Sequence, residues 1–186
     1  MKGQLLNRTT LFVTIGIAGS GKSTWAAKMM SSFIQYELIC PDDIRQELTG
    51  DSSNQQRNFE VFKIAHQRLR DALAKNRMAI WSATCYNRKN RKEVIAIGKE
   101  FDANIIGVIF NVSLETAKAR NKMRSRVVPD DIIERQFNNF QPPTLEEGFG
   151  SLFYMEDKTL LTMKSTNNFA LQTLESEGGI ILPTSF

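Results

Sequence analysis

The chain has 186 residues, 41% of them hydrophobic and 24% charged, with a net charge of +4. This is the composition of an ordinary globular domain and excludes a disordered or fibrous chain. Two cysteines, Cys40 and Cys85, are too few for a disulfide framework and lack zinc-ligand spacing, so two reduced thiols are expected.

Lys2 and Arg8 ahead of the apolar run Leu11 to Ala18 have the look of a secretory signal, but that run is needed as a strand. No apolar stretch reaches the ~18 residues that span a bilayer. A cytoplasmic protein without a membrane segment is therefore expected. Leu11-Phe12-Val13-Thr14-Ile15 reads as a buried strand. Gly16-Ile17-Ala18-Gly19-Ser20-Gly21-Lys22-Ser23-Thr24 follows, a glycine, four free positions, then Gly-Lys-Ser. A helix from there to about Phe33 completes the strand–loop–helix context that gives the pattern a mechanism. In such a loop Gly19, Ser20, Gly21, Lys22, Ser23 and Thr24 present backbone N–H groups and a helix N-terminus to phosphate oxygens. Lys22 reaches the outer phosphates and the Ser23 hydroxyl takes a Mg²⁺ site. The stretch specifies a nucleotide-binding protein.

A second strand, Glu37 to Cys40, stops at Pro41, and Asp42 to Leu48 reads as a helix closed by Thr49-Gly50. Asp51 to Asn54 is a loop ending in a helix cap. From Gln55 to about Asn76, Phe59, Phe62, Ala65, Leu69, Ala72 and Leu73 recur at steps of three and four as one buried helical face. Met78 to Trp81 is a third strand and Arg88 to Phe101 a helix with Val94, Ile95 and Ile97 inward. Asn104 to Val112 is a fourth strand, and Ser113 caps the next helix. Pro129-Asp130-Asp131 opens a further helix ended by Gln141-Pro142-Pro143-Thr144, and residues 151–163 hold a last short strand. Beyond Lys164 the patterns weaken, either an appendage or a small hairpin on the core.

Strands alternating with helices specify an α/β fold, a three-layer sandwich with a parallel sheet of four to five strands and helices on both faces. Residues 1–163 form one domain, with a lid at about 120–142 and a tail at 164–186. Ligands gather beyond the carboxyl ends of such strands, which directs attention to the residues just after each one. After the second strand stand Asp42, Asp43 and Arg45. A carboxylate there suits a general base on an attacking hydroxyl, and Arg45, three residues on, suits a phosphate on the acceptor. Both acids could equally complement the helix dipole. Arg120, Lys122, Arg124 and Arg126 are either a solvated face or lid cations that neutralise a transferring phosphoryl group. Arg88, Lys89, Arg91 and Lys92 read as a solvated face. His66, Trp25 and Trp81 are assigned to packing.

The glycine loop continued as Trp25-Ala26, Asp42-Asp43-Ile44-Arg45-Gln46, Arg120-Asn121 with Arg124, Val128-Pro129, and Gln141 to Phe149 together resemble the 5′-hydroxyl polynucleotide kinases of phages and animals, among the P-loop kinases. The resemblance runs from about Leu11 to Phe153. It implies ATP and Mg²⁺ as cofactors and nucleic-acid 5′-hydroxyl ends, of RNA or DNA, as partners, in nucleic-acid repair. It also implies Asp42 as general base, Arg45 on the acceptor phosphate, and Arg124 with Arg120 on the donor phosphates. Relatives carry an acid and an asparagine around a threonine after the third strand. Here the run is Ser82-Ala83-Thr84-Cys85, which keeps only Thr84 for the acceptor side. The Asp-x-Asp-x-Thr phosphatase motif that often accompanies these kinases is absent. The alternatives are a kinase of a small-molecule hydroxyl and an ATP-binding module with weak or no turnover.

Overall fold

A computed structural model describes residues 9–32, 36–156 and 159–165. Its centre is a six-stranded sheet in the order β2-β3-β1-β4-β5-β6. The strands are β1 (Thr10–Ile15), β2 (Tyr36–Ile39), β3 (Met78–Trp81), β4 (Asn104–Phe110), β5 (Ser151–Glu156) and β6 (Thr159–Ser165). The first five pair in parallel, as alternation of strand and helix requires. A sixth strand, not expected from the sequence, turns back antiparallel on β5. It lies mostly within residues 151–163, read as holding one short strand, and reaches only the start of the stretch read as appendage or small hairpin; the rest of that tail lies outside the described residues.

The helices are α1 (Lys22–Ser32), α2 (Pro41–Thr49), α3 (Asn58–Ala74), α4 (Arg88–Glu100), α5 (Leu114–Lys122) and α6 (Asp130–Asn138). Pro41 both ends β2 and opens α2, and Gly50 closes α2 in the left-handed conformation. Side chains alternate across β4. Ile105 and Ile109 join Val61, Leu69, Val94 and Ile97 from α3 and α4. Ile106, Val108 and Phe110 join Trp25 and Met29 from α1 on the other face. Each such large side chain contributes about 1.5–3 kcal/mol by leaving water, so the two layers fix the sheet. A third, small cluster of Ile17, Ala18, Ala117 and Ile133 seats α5 and α6 on the glycine loop.

Three details depart from the sequence reading. The helix read from Gln55 begins at Asn58, and Asn54 is not its cap. Phe59 is 86% exposed, because it lies about 200° around the helix from Val61, which carries the buried face. Arg91, expected on a solvated face, is fully buried. It donates to both carboxylate oxygens of Glu147 at 2.7 Å and to the carbonyls of Cys85 and Gln141 at 3.0 Å. The pair ties the single 3-10 turn Leu145–Glu147 to the start of α4.

Candidate active site

The glycine loop bridges the carboxyl end of β1 and the start of α1. Gly19 has φ +80° and Gly21 φ +104°, conformations that favour glycine. A Cβ on Gly19 would lie 2.2 Å from the Ala117 carbonyl oxygen, so α5 packs directly on the loop. The Gly16 amide donates to the Thr84 carbonyl at 3.0 Å, which seats the half-buried Thr84 beside the loop's entrance. The Ala18 amide donates to Gln136 Oε1 on α6 at 2.8 Å.

Lys22 is folded back over the loop, its Nζ donating to the Ile17 carbonyl at 2.6 Å and to Ser20 Oγ at 3.3 Å. Burial pushes its ammonium down from 10.5 to about 7. Arg124 acts in the same direction, while Cys85 and Asp42 oppose it. Asp42 stands at the start of α2, directly after the carboxyl end of β2. A cavity of about 360 Å³ opens over the loop, walled by Gly19 to Trp25 and by Arg120 and Arg124 from the lid. Ser23 and Thr24 are exposed at its rim.

Asp42 stands just outside those walls, in the first turn of α2, its side chain 53% exposed. Arg45, one turn on, is only 3% exposed. Its Nη1 donates to Asp42 Oδ1 and, at 3.4 Å, to the Ser52 carbonyl, and its Nη2 donates to Asn58 Oδ1 at 2.8 Å. Its Nε is buried without a partner among the described residues. The guanidinium is thus built into the wall that carries the carboxylate. Asp43 faces solvent. Arg126 Nη1 lies 3.3 Å from Asp42 Oδ2.

The turn between α5 and α6, residues 123–129, is closed at its base by the fully buried Asn121. Its amide donates to the Val128 carbonyl at 2.7 Å and accepts from the Val128 amide at 3.1 Å. Away from the site, His66 stacks on Trp81 at 5.2 Å and is a packing residue, its basicity lowered by burial. Trp25 and Trp81 are core residues, although Trp25 also touches the cavity. Cys40 and Cys85 are free thiols, each pushed up to about 11 by burial.

The site therefore joins the loop residues, Arg120 and Arg124 around one cavity, with Asp42 and Arg45 beside it. Sequence reasoning missed three participants, Asn58, Gln136 and the contact of Arg126 with Asp42, and it quoted Asn121 only as part of a motif, without its role at the base of the turn. Arg126 stood in a basic run already under suspicion, but a run does not say which of its members turns toward which partner. The others are single amides, which carry no pattern.

Residues 11–143 match a family model described as an AAA domain. The chain belongs to that family, and its fold and site are those of a P-loop kinase-type phosphotransfer domain that binds nucleotide. It is 23% identical over 146 residues to the L-seryl-tRNA(Sec) kinase of Methanococcus maripaludis, covering 72% of this chain and 53% of that one. The chain thus spans about half the length of that curated relative. Its fold is similar to that of a chain in the Pnkp1/Rnl/Hen1 RNA repair complex, with TM-score 0.67 and 20% identity, covering 75% of this chain and 46% of that one. It is also similar to a gluconokinase from Sinorhizobium meliloti, with TM-score 0.52 and 16% identity, covering 79% and 82%. Among the described residues no helix is long and apolar enough to cross a membrane.

Proposed function

We propose that this chain transfers the γ-phosphoryl group of ATP to the 5′-hydroxyl end of RNA or DNA, in nucleic-acid repair in the cytoplasm. The observation that carries the reading is Asp42: an accessible carboxylate, fixed by the buried Arg45, within the electrostatic reach of Lys22. The hydroxyl oxygen bonds to the γ-phosphorus as the bond from that phosphorus to the ADP oxygen breaks. The hydroxyl proton passes to Asp42 Oδ2 and on to solvent. A positioned base of this kind contributes about 10²–10⁴-fold. Lys22, Arg120 and Arg124 hold and neutralise the donor phosphates, on backbone amides of Gly19 to Thr24. Ser23, whose hydroxyl oxygen at the cavity rim is the hard ligand Mg²⁺ prefers, would hold that ion, which supplies further neutralisation of the phosphates. Arg45 holds Asp42 in place and lends positive charge to the phosphate beside the acceptor hydroxyl, and Thr84 adds a hydroxyl near the loop's entrance.

The test is transfer of label from γ-labelled ATP to a 5′-hydroxyl oligonucleotide with Mg²⁺ present. Labelled oligonucleotide from wild type, reduced at least a hundredfold in Asp42→Asn, is the expected result. No label from folded wild-type protein overturns the proposal. The likeness to a seryl-tRNA(Sec) kinase and to a gluconokinase favours, as a second reading, a hydroxyl on an aminoacylated RNA or a small sugar acid. The same assay with those acceptors decides between the readings.

A further inference from the structure

The lid's arginines divide between the two ends of the site. Arg120 and Arg124 line the cavity over the glycine loop. Arg126, two residues further on, meets Asp42 Oδ2 at 3.3 Å, while Oδ1 is bonded to Arg45. Both oxygens of the candidate base are therefore covered by guanidinium groups.

The two guanidiniums are not alike. Arg45 is buried and fastened to Asn58 and the Ser52 carbonyl, a fixed part of the wall. The side chain of Arg126 is 35% exposed and its carboxylate partner 53% exposed. An ion pair with that exposure stabilises itself only a few-fold in water, so a competing ligand displaces it readily. As an isolated surface pair it would mean little. Its partner, however, is the acid that lies within the field of Lys22.

We infer that Arg126 is an acceptor-binding residue: it covers Asp42 Oδ2 while the site is empty and shifts onto the phosphate neighbouring the acceptor hydroxyl once that hydroxyl takes its place. The acceptor half of this inference rests on the proposed function; the covering of Asp42 does not. Without an acceptor, water is the competing nucleophile. Its oxygen would bond to the γ-phosphorus, the bond to ADP would break, and its proton would pass to Asp42. Arg126 on Oδ2 blocks that proton's destination and so suppresses wasteful hydrolysis. A neutral alcohol has no charge to draw Arg126 away, whereas a hydroxyl beside a phosphodiester does. Arg126 thereby selects for acceptors that carry a phosphate next to the reactive oxygen.

The experiment compares wild type with Arg126→Ala and Arg126→Lys in the full chain with ATP and Mg²⁺. One arm measures ATP hydrolysis without acceptor. The other measures phosphorylation of a 5′-hydroxyl oligonucleotide at several salt concentrations. Arg126→Ala should raise hydrolysis a few-fold and raise the oligonucleotide KM about tenfold. It should leave the ATP KM within about twofold and lower the slope of log KM against log salt by about 0.7. Arg126→Lys should recover part of both effects. A role confined to stability would move the melting temperature and neither readout. In folded Arg126→Ala, hydrolysis at the wild-type rate overturns the covering role, and an unchanged oligonucleotide KM overturns the phosphate contact. If wild type labels no oligonucleotide, the proposed function falls, and with it the acceptor half of the inference. The hydrolysis arm then decides the covering role alone.

Discussion

Raising the pH from about 6 to about 8 should weaken nucleotide binding roughly tenfold, because Lys22 goes from charged to largely neutral over that range. Burial in the loop pushes its ammonium down to about 7. The charged fraction therefore falls from about 0.9 to about 0.1, a loss of about 1.4 kcal/mol. Triphosphate oxygens beside Nζ restore the charge, so binding near pH 8 takes up about 0.9 proton per nucleotide. Titration calorimetry in two buffers of different ionisation enthalpy reads that uptake directly. The γ-phosphate of the nucleotide titrates in the same range with the opposite sense, since losing its proton strengthens binding. Lys22→Arg, charged throughout, isolates that contribution and should lose the decline. Flat wild-type affinity with no proton uptake would refute the reasoning. The same displacement sets a stability trend. Between about 7 and 10.5 the unfolded chain holds the Lys22 proton that the folded chain has shed, so the empty protein should grow more stable as pH rises through that window.

Gly19→Ala should abolish nucleotide binding and destabilise the fold by well over 2 kcal/mol, since its Cβ would meet the Ala117 carbonyl at 2.2 Å. Gly21→Ala, with open space around it, should cost only about 1–2 kcal/mol of backbone strain; melting curves and nucleotide titration that reverse this ranking would contradict the packing. Arg91→Met, which leaves the nearly buried Glu147 only the longer contact with the exposed Arg88 at 3.5 Å and the Thr144 amide, should cost about 3 kcal/mol by urea unfolding. Arg91→Leu combined with Glu147→Leu should cost less than the sum of the single changes, and strict additivity would argue against the clamp. On the proposed acceptor, Phe59→Ala should raise the oligonucleotide KM about 5- to 100-fold through lost base stacking, with the melting temperature unmoved because the ring is exposed. An unchanged KM would leave Phe59 an ordinary surface residue. Phe59 lies one turn before Phe62 and two before His66, which pack on Trp81 at the carboxyl end of β3, so it stands toward the ligand side of the sheet.

What was legible in the sequence is what short range encodes. The phosphate loop needs glycines, a lysine and a hydroxyl at fixed spacing between a strand and a helix, and every part lies within nine residues. The five parallel strands were legible because each is a short apolar run closed by a turn or cap. The burial of Arg91 was not, since its partner Glu147 is 56 residues away and a basic run at a helix start is usually solvated. Phe59 was misplaced because it keeps step with Phe62 and Leu69 at intervals of three and seven, while the face that is buried runs through Val61, Ala65 and Leu69, about 200° away at this end of the helix. Arg45 looked like a free fork for a ligand, but both its terminal amino groups are engaged, by Asp42, Ser52 and Asn58. Arg45→Ala would therefore disturb the base as well as the acceptor, which makes Arg126 the cleaner probe of acceptor chemistry.

Asn121 has a kinetic consequence. By grasping Val128 with both its donor and its acceptor, it cinches the arginine-bearing turn into a single stiff bracket. Arg124 and Arg126 hang from the same bracket, one over the nucleotide and one over the incoming alcohol. On the proposed function, an acceptor that orders this turn should also settle Arg124 over the nucleotide, a synergism that would show as tighter acceptor binding in the presence of nucleotide than in its absence.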